Sequence, residues 1–228
     1  MTRVRIENVV ASSSMGSDLD LNAIALKLDG AEYAPDEFPG LIYRQTKPKT
    51  AVLLFHSGKV VCTGGKSWKE ADDSIRAVAA LIRKSGQKVV AHPKIEVQNI
   101  VATSNLDSEI NLNSIAIALG LDRVEYEPEQ FPGLVYRVDE PRVVVLLFGS
   151  GKLVCTGARK PSDVMLAVEH VKGELQRAGL LPDARAPAKP AASRASPSPA
   201  APARVSRAEP RVPAPEVASS AASSALPA

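Results

Sequence analysis

Ser57-Gly58-Lys59-Val60-Val61-Cys62-Thr63-Gly64 is written a second time as Ser150-Gly151-Lys152-Leu153-Val154-Cys155-Thr156-Gly157. Outward from that phrase the chain keeps doubling. Tyr33-Ala34-Pro35-Asp36-Glu37-Phe38-Pro39-Gly40-Leu41 returns as Tyr126-Glu127-Pro128-Glu129-Gln130-Phe131-Pro132-Gly133-Leu134, and Asn8-Val9-Val10-Ala11 as Asn99-Ile100-Val101-Ala102. The offset is 91 for the Asn8 phrase and 93 for the other two, which predicts a two-residue insertion near Leu119. A unit this long exceeds any solenoid repeat. It predicts two duplicated halves, residues 1–91 and 92–181, related by a pseudo-two-fold axis.

After Leu181 the composition changes abruptly. Of the last 47 residues, 34 are Ala, Pro or Ser and none is aromatic. Such a segment cannot bury enough apolar surface to offset its ordering entropy, so residues 182–228 are expected to be a disordered tail. Its 6 basic against 3 acidic residues account for the whole net charge of +3. The expected role is a solvated spacer, with a weak electrostatic tether to nucleic acid as the alternative. Residues 1–181 are neutral overall, so affinity for a polyanion there requires segregated charge.

Each half reads as alternating strands and amphipathic helices. In the first half a strand is expected over Arg3 to Ala11, a short helix near Leu21 to Leu28, and an extended stretch around Glu32 to Pro35. An antiparallel pair, Leu41 to Arg44 with Thr50 to Phe55, turns near Lys47-Pro48, and a further strand covers Lys59 to Thr63. A longer helix begins at Ser67, with Glu70 completing a capping box. Its stripe Ala71, Ile75, Val78, Ile82 and the second-half stripe Val164, Val168, Val171, Leu175 share the spacing of one buried helix face. The long helices therefore cover one side of a sheet.

Several classes are excluded. No apolar run approaches the roughly 20 residues of a membrane-spanning helix. Met1 to Ala11 already alternates like a strand, which argues against a signal peptide. Cys62 and Cys155 occupy equivalent repeat positions and read as small core residues in a reducing compartment, rather than as a disulfide or a metal site. His56, His92 and His170 are scattered, and no paired-carboxylate or Cys/His constellation suggests catalysis. No cofactor and no metal ligand is expected.

Side chains alternate across a strand. If Cys62 faces the helices, Val61 and Thr63 face away, as do Leu53 and Phe55. The same parity exposes Leu146, Phe148, Val154 and Thr156, and the first strands add Asn8 with Val10 and Asn99 with Val101. A bare apolar face of this size normally marks an interaction site. The four phenylalanines, Phe38, Phe55, Phe131 and Phe148, form two pairs, each 17 positions apart. Turns near Thr46-Lys47 and Asp139-Glu140 are expected to set 38 opposite 55 and 131 opposite 148. Pro39 and Pro132 sit beside one member of each pair.

Paired apolar wedges suit the opening of base steps from a minor groove. Its floor shows mainly acceptors at A·T pairs, to which Asn8 and Asn99 could donate. Arg44, Lys49, Lys59 and Lys66 recur as Arg137, Arg142, Lys152 and Arg159, a repeated cationic rim suited to phosphate.

These phrases together resemble the core of the TATA-binding protein family in its archaeal form, over about residues 3–181. Q-N-I-V at 98–101, Y-E-P-E-Q-F-P-G-L-V-Y-R at 126–137 and the doubled S-G-K-x-V-C-T-G carry the resemblance. It implies an α+β saddle: a curved antiparallel sheet of two duplicated halves with helices on the convex face. It implies a general transcription initiation factor, not an enzyme, that binds the TATA element in the minor groove and bends it. Phe38, Phe55, Phe131 and Phe148 would intercalate. Asn8, Asn99, Thr63 and Thr156 would hydrogen-bond centrally. Val10, Val101, Leu53, Leu146, Val61 and Val154, with Pro39 and Pro132, would make apolar contact.

The implied partners are A·T-rich promoter DNA, transcription factor B through Glu127 and Glu129, and RNA polymerase indirectly. No membrane is implied. The expected state is a monomer on DNA, with a homodimer open when free. The expected location is cytoplasmic and nucleoid-associated, or nuclear in a eukaryote. Glu37 departs from the basic residue of eukaryotic relatives, and Gln130 replaces a common apolar residue. The absence of a long N-terminal extension favours the archaeal type. Two alternatives have distinct signatures: a glycosylase or ribonuclease H relative would release bases or cut strands, and a pure protein-interaction module would not bind A·T-rich DNA.

Overall fold

A computed structural model describes residues 3–120 and 123–181. The expectations for residues 182–228 lie outside the described residues.

The first half runs β1 (Arg5–Ser14), α1 (Leu21–Ala25), β2 (Ala31–Glu32), β3 (Gly40–Thr46), β4 (Lys49–Phe55), β5 (Lys59–Gly65) and α2 (Trp68–Lys84). The second repeats it: β6 (Glu96–Asn105), α3 (Leu112–Leu119), β7 (Val124–Glu125), β8 (Leu134–Val138), β9 (Val143–Leu147), β10 (Lys152–Ala158) and α4 (Pro161–Arg177). The ten strands form one antiparallel sheet in the order β2-β3-β4-β5-β1-β6-β10-β9-β8-β7. That order reads the same from either edge once repeat positions are equated. At its centre Val9 pairs with Ile100, its own repeat equivalent, so the pseudo-two-fold axis passes through that pair.

Alternation decides which side is covered. Val9 and Ala11 on β1, Val52 and Leu54 on β4, and Val60 and Cys62 on β5 are buried, as are Ile100, Ala102, Val145, Leu147, Leu153 and Cys155 in the second half. They meet the helix stripes Ala71, Ile75, Val78, Ile82 and Val164, Val168, Val171, Leu175, all at most 1% exposed. The result is two separate cores, one per half, with partly buried Ile6 and Val97 packed against both. Register shifts between Ile6 and Asn8, between Val10 and Ala11, and between Cys155 and Ala158 interrupt the central ladders. Bulges of this kind bend and twist a sheet.

The structure differs from the sequence reading in places. β1 runs to Ser14 rather than stopping at Ala11, because its far end still pairs with β5. The expected strand at Glu32 to Pro35 shrinks to Ala31–Glu32, after which the Glu37 and Phe38 amides donate to the Ala34 carbonyl in a turn. The helix expected at Leu21 to Leu28 ends at Ala25 and continues as turns, with Asp20 capping the Ala23 amide at 3.0 Å. At α2 the Ser67 hydroxyl accepts from the Glu70 amide (3.1 Å), but the Glu70 carboxylate reaches back to the Lys66 amide (2.8 Å) instead of that of Ser67.

The β3–β4 hairpin has the register Gly40↔Phe55 and Thr46↔Lys49, centred on Lys47-Pro48. The expectation that position 38 lies opposite 55 is therefore wrong by two residues. Gly40 stands opposite Phe55, and Phe38 lies beyond the strand. In the second half Leu134↔Leu147 and Val138↔Val143 centre the turn on Glu140-Pro141, which moves Phe131 off its expected partner in the same way. A turn centre misplaced by one residue slips the pairing by two.

Candidate nucleic-acid interface

The sheet's uncovered face holds the predicted set. Asn8, Val10, Leu53, Phe55, Val61 and Thr63, with Asn99, Val101, Leu146, Phe148, Val154 and Thr156, are half-buried, while the intervening Val9, Leu54, Cys62, Ile100, Leu147 and Cys155 are buried under the helices. Phe38 is half-buried and Pro39 and Pro132 are exposed. Phe131 is 37% exposed, and none of the four phenylalanines belongs to either core.

The rings still meet in pairs, despite the slipped register. Phe38 and Phe55 have centroids 5.9 Å apart at 65°, and Phe131 and Phe148 5.9 Å apart at 69°. Edge-to-face geometry of this kind stabilises a pair by about 0.5–1.5 kcal/mol beyond area burial. The contact is made across a missing side chain. A Cβ on Gly40 would lie 2.6 Å from the Phe38 ring and 3.2 Å from that of Phe55. A Cβ on Gly133 would lie 2.6 Å from Phe131 and 3.0 Å from Phe148. Gly40 and Gly133, which make room for these contacts, were missed by sequence reasoning.

At the centre two identical polar clusters flank the pseudo-two-fold axis. Asn8 Oδ1 accepts from the Gly64 amide at 2.7 Å, and Asn99 Oδ1 from the Gly157 amide at 2.7 Å. A backbone N–H can only donate, so each amide group is turned with its NH2 away from the main chain. Each Nδ2 donates one hydrogen to its threonine at 3.2 Å, Asn8 to Thr63 and Asn99 to Thr156. The threonine hydroxyl donates back to the asparagine Oδ1 at 3.4 Å in each half, which leaves one Nδ2–H of each asparagine as a donor. Acceptors on a groove floor are what such a surface complements.

Glu7 is a second missed feature. It accepts from Thr103 Oγ1 at 2.9 Å and from Arg5 Nε at 2.7 Å. The Arg5 hydrogen bond, then that of Thr103, holds its carboxyl below the ordinary range. At the equivalent place in the other half Gln98 donates to Ser12 at 2.8 Å.

Arg44, Lys49, Lys59, Lys66, Arg137, Arg142, Lys152 and Arg159 are all exposed. Arg44 lies 3.5 Å from Glu32 and Arg137 3.2 Å from Glu125, in pairs exposed on both sides. Exposed pairs contribute only about 0–1 kcal/mol, so either arginine exchanges its carboxylate for another anion at little cost. Glu127 and Glu129 are exposed on the turn before Phe131, where Gln130 donates to the Glu127 carboxylate and the Phe131 amide to the Glu127 carbonyl at 2.9 Å.

Among the described residues no group of His, Cys, Asp and Glu could hold a metal ion, and no helix is long and apolar enough to cross a membrane.

An open antiparallel sheet, doubled about its centre and carrying phenylalanine pairs on the face the helices leave bare, defines a protein that works by surface contact. The sequence pattern of the family described as "Transcription factor TFIID (or TATA-binding protein, TBP)" matches residues 3–85 and 94–178, one match per half. The chain is 58% identical over 179 residues to the TATA-box-binding protein of Thermoplasma acidophilum, spanning 78% of this chain and 97% of that one. It is 51% identical over 179 residues to the TATA-box-binding protein of Archaeoglobus fulgidus, spanning 78% and 98%. The solved structure of Methanococcus jannaschii TBP aligns with a TM-score of 0.71 at 46% identity, covering 77% of this chain and 99% of that one. The chain belongs to the TATA-binding protein family, a family of DNA-binding transcription factors rather than enzymes, and its fold is the family's α+β saddle.

Proposed function

We propose that the chain initiates transcription by binding an A·T-rich promoter element in the minor groove through its bare sheet face, bending it, and recruiting transcription factor B. Each half, residues 1–91 and 92–181, reads one half of the element. The observation that carries this reading is the pair of edge-to-face phenylalanine contacts at equivalent ends of the uncovered face. One ring of each pair enters a base step while the other supports it. Unstacking costs roughly a few kcal/mol per step, and the wider contact with bent DNA offsets it, a mode of which TATA-binding proteins are themselves the standard example.

Val10, Val101, Leu53, Leu146, Val61 and Val154 press on the groove floor, with Pro39 and Pro132 at its ends. Asn8, Asn99, Thr63 and Thr156 donate to the central acceptors. The eight rim cations take phosphates. Glu127 and Glu129 offer a carboxylate patch to transcription factor B beside Phe131, and RNA polymerase follows through that factor. Free protein covers its bare face by pairing with a second copy and binds DNA as a monomer. The nucleoid of an archaeal-type cytoplasm is where such a protein works.

The test is equilibrium binding to an A·T-rich duplex and to a G·C-rich duplex of equal length across a salt series. Selective binding of the first, weakening steeply with salt, is expected. Equal affinity for both, or none for either, would overturn the function, and base release or strand cutting would assign the fold a different one.

A further inference from the structure

The halves are not identical on the helix-covered side. Where the turns after α1 meet the last turn of α2, Ile24, Lys27, Leu28, Leu81, Lys84 and Ser85 line an open groove of about 200 Å³. Ile24 belongs to the first core together with Ile82 of the α2 stripe, so the groove opens on the side of the sheet opposite the bare face. Ile24 is buried, Leu28 and Leu81 are half-buried, and Lys27 and Lys84 are exposed. The floor is apolar and the rim cationic. Lys27 Nζ donates one hydrogen to the Ser85 carbonyl at 2.7 Å and keeps two. Among the described residues neither ammonium is ion-paired with a carboxylate. Part of this arrangement is structural, since cations beside the end of a helix offset its exposed carbonyls. That role needs no open apolar floor.

The second half closes the same place differently. The equivalent residues are Ile115, Ala118, Leu119, Glu174, Arg177 and Ala178. A methyl group replaces the Lys27 side chain, and a carboxylate replaces Leu81. Glu174 accepts from the Tyr136 hydroxyl and lies 3.9 Å from both Arg123 and Arg177. The second half therefore neutralises its own cations here, and the first half presents its pair outward.

Size and charge select the occupant. Small-molecule pockets run to about 300–1,000 Å³, so this groove is too small for a cofactor and accepts a single large apolar side chain. Two ammonium groups beside an apolar floor complement such a side chain with carboxylates on either side of it. We propose that the α1–α2 groove of the first half docks an acidic, amphipathic segment of a partner protein, anchored by one Leu or Phe side chain, and that DNA on the bare face leaves the groove open to it.

The experiment titrates the full chain into a short fluorescein-labelled peptide of Asp, Glu and Leu with one central Phe, read by anisotropy. One control peptide replaces the acids by Asn and Gln, and another replaces the apolar residues by Ala. The parent peptide should bind about tenfold more tightly than either control, and its affinity should fall as salt rises. Lys27→Gln with Lys84→Gln should weaken it by about fivefold. Leu81→Glu, which sets a carboxylate against those of the peptide, should weaken it by about tenfold or more. Circular dichroism melting checks that both variants stay folded. A saturating A·T-rich duplex should leave the peptide affinity unchanged. No binding by wild type, equal binding of the Ala control, displacement by the duplex, or wild-type affinity in Leu81→Glu would each overturn the inference. A duplex that fails to bind counts against the proposed function alone, because the control peptides and the variants still decide this site.

Discussion

At Gly133 a hydrogen occupies the space between two aromatic rings, and any larger side chain must displace them. The nearest ring atom would lie 2.6 Å from a new Cβ, well inside contact distance, so Gly133→Ala swings Phe131 away from Phe148. Neither ring is part of a core. The substitution should therefore cost about 0.5–1.5 kcal/mol, the worth of the lost ring pair, while A·T-duplex affinity falls several-fold. Thermal melting and anisotropy on one preparation check both halves of that expectation.

Cys62 and Cys155 behave oppositely: they are inert and structural. Burial pushes each thiol up to about 11 from an ordinary 9.0. Alkylation by iodoacetamide at neutral pH should be slow in the native protein and fast in denaturant. An unfolded thiol ionises near 9.0 while the folded one holds its proton to about 11, so stability is full below the first value and falls between the two. Urea midpoints measured from pH 8 to pH 11 should decline accordingly. The cysteine assignment was legible from sequence because identical parity in two copies is a strong constraint. The glycine was not, because its role appears only when a loop ring folds back over the neighbouring strand.

Among the elements, the two long helices start differently although they occupy equivalent places. α2 has Ser67 accepting from the Glu70 amide, whereas α4 begins at Lys160-Pro161 with no side-chain cap. Ser67→Ala should cost about 1 kcal/mol. Lys160→Ser, at a residue already in extended conformation, should recover about 0.5–1 kcal/mol. Urea unfolding of the two variants measures both. The helix stripes were readable because a 3.6-residue period over four turns has one solution. Which face stayed bare followed from the period of two. The hairpin register did not follow, because it depends on the turn centre to a single residue, and sequence offers two adjacent candidates. The 5-residue α1 and the 2-residue β2 were over-extended for a related reason: elements this short are held by tertiary pairing rather than by local preference.

Across the whole molecule, duplication does what composition alone cannot. Residues 1–181 carry no net charge, yet cations recur at matched positions around an apolar face. If all eight reach phosphate, log K should fall with log salt at about −0.9 per contact, and Lys59→Ala should shallow that slope by about 0.9 without changing the preferred sequence. A filter-binding series at four salt concentrations decides this.

The central claim is that rings left off the core at both ends of the sheet deform the DNA. Its most direct measurement is energy transfer between dyes at the two ends of an A·T-rich duplex, recorded at saturating protein for wild type and for Phe131→Ala with Phe148→Ala. Wild type should shorten the end-to-end distance, and the double variant, still folded by circular dichroism, should leave the bound duplex close to its free length at that end. Equal shortening by both proteins would contradict the account.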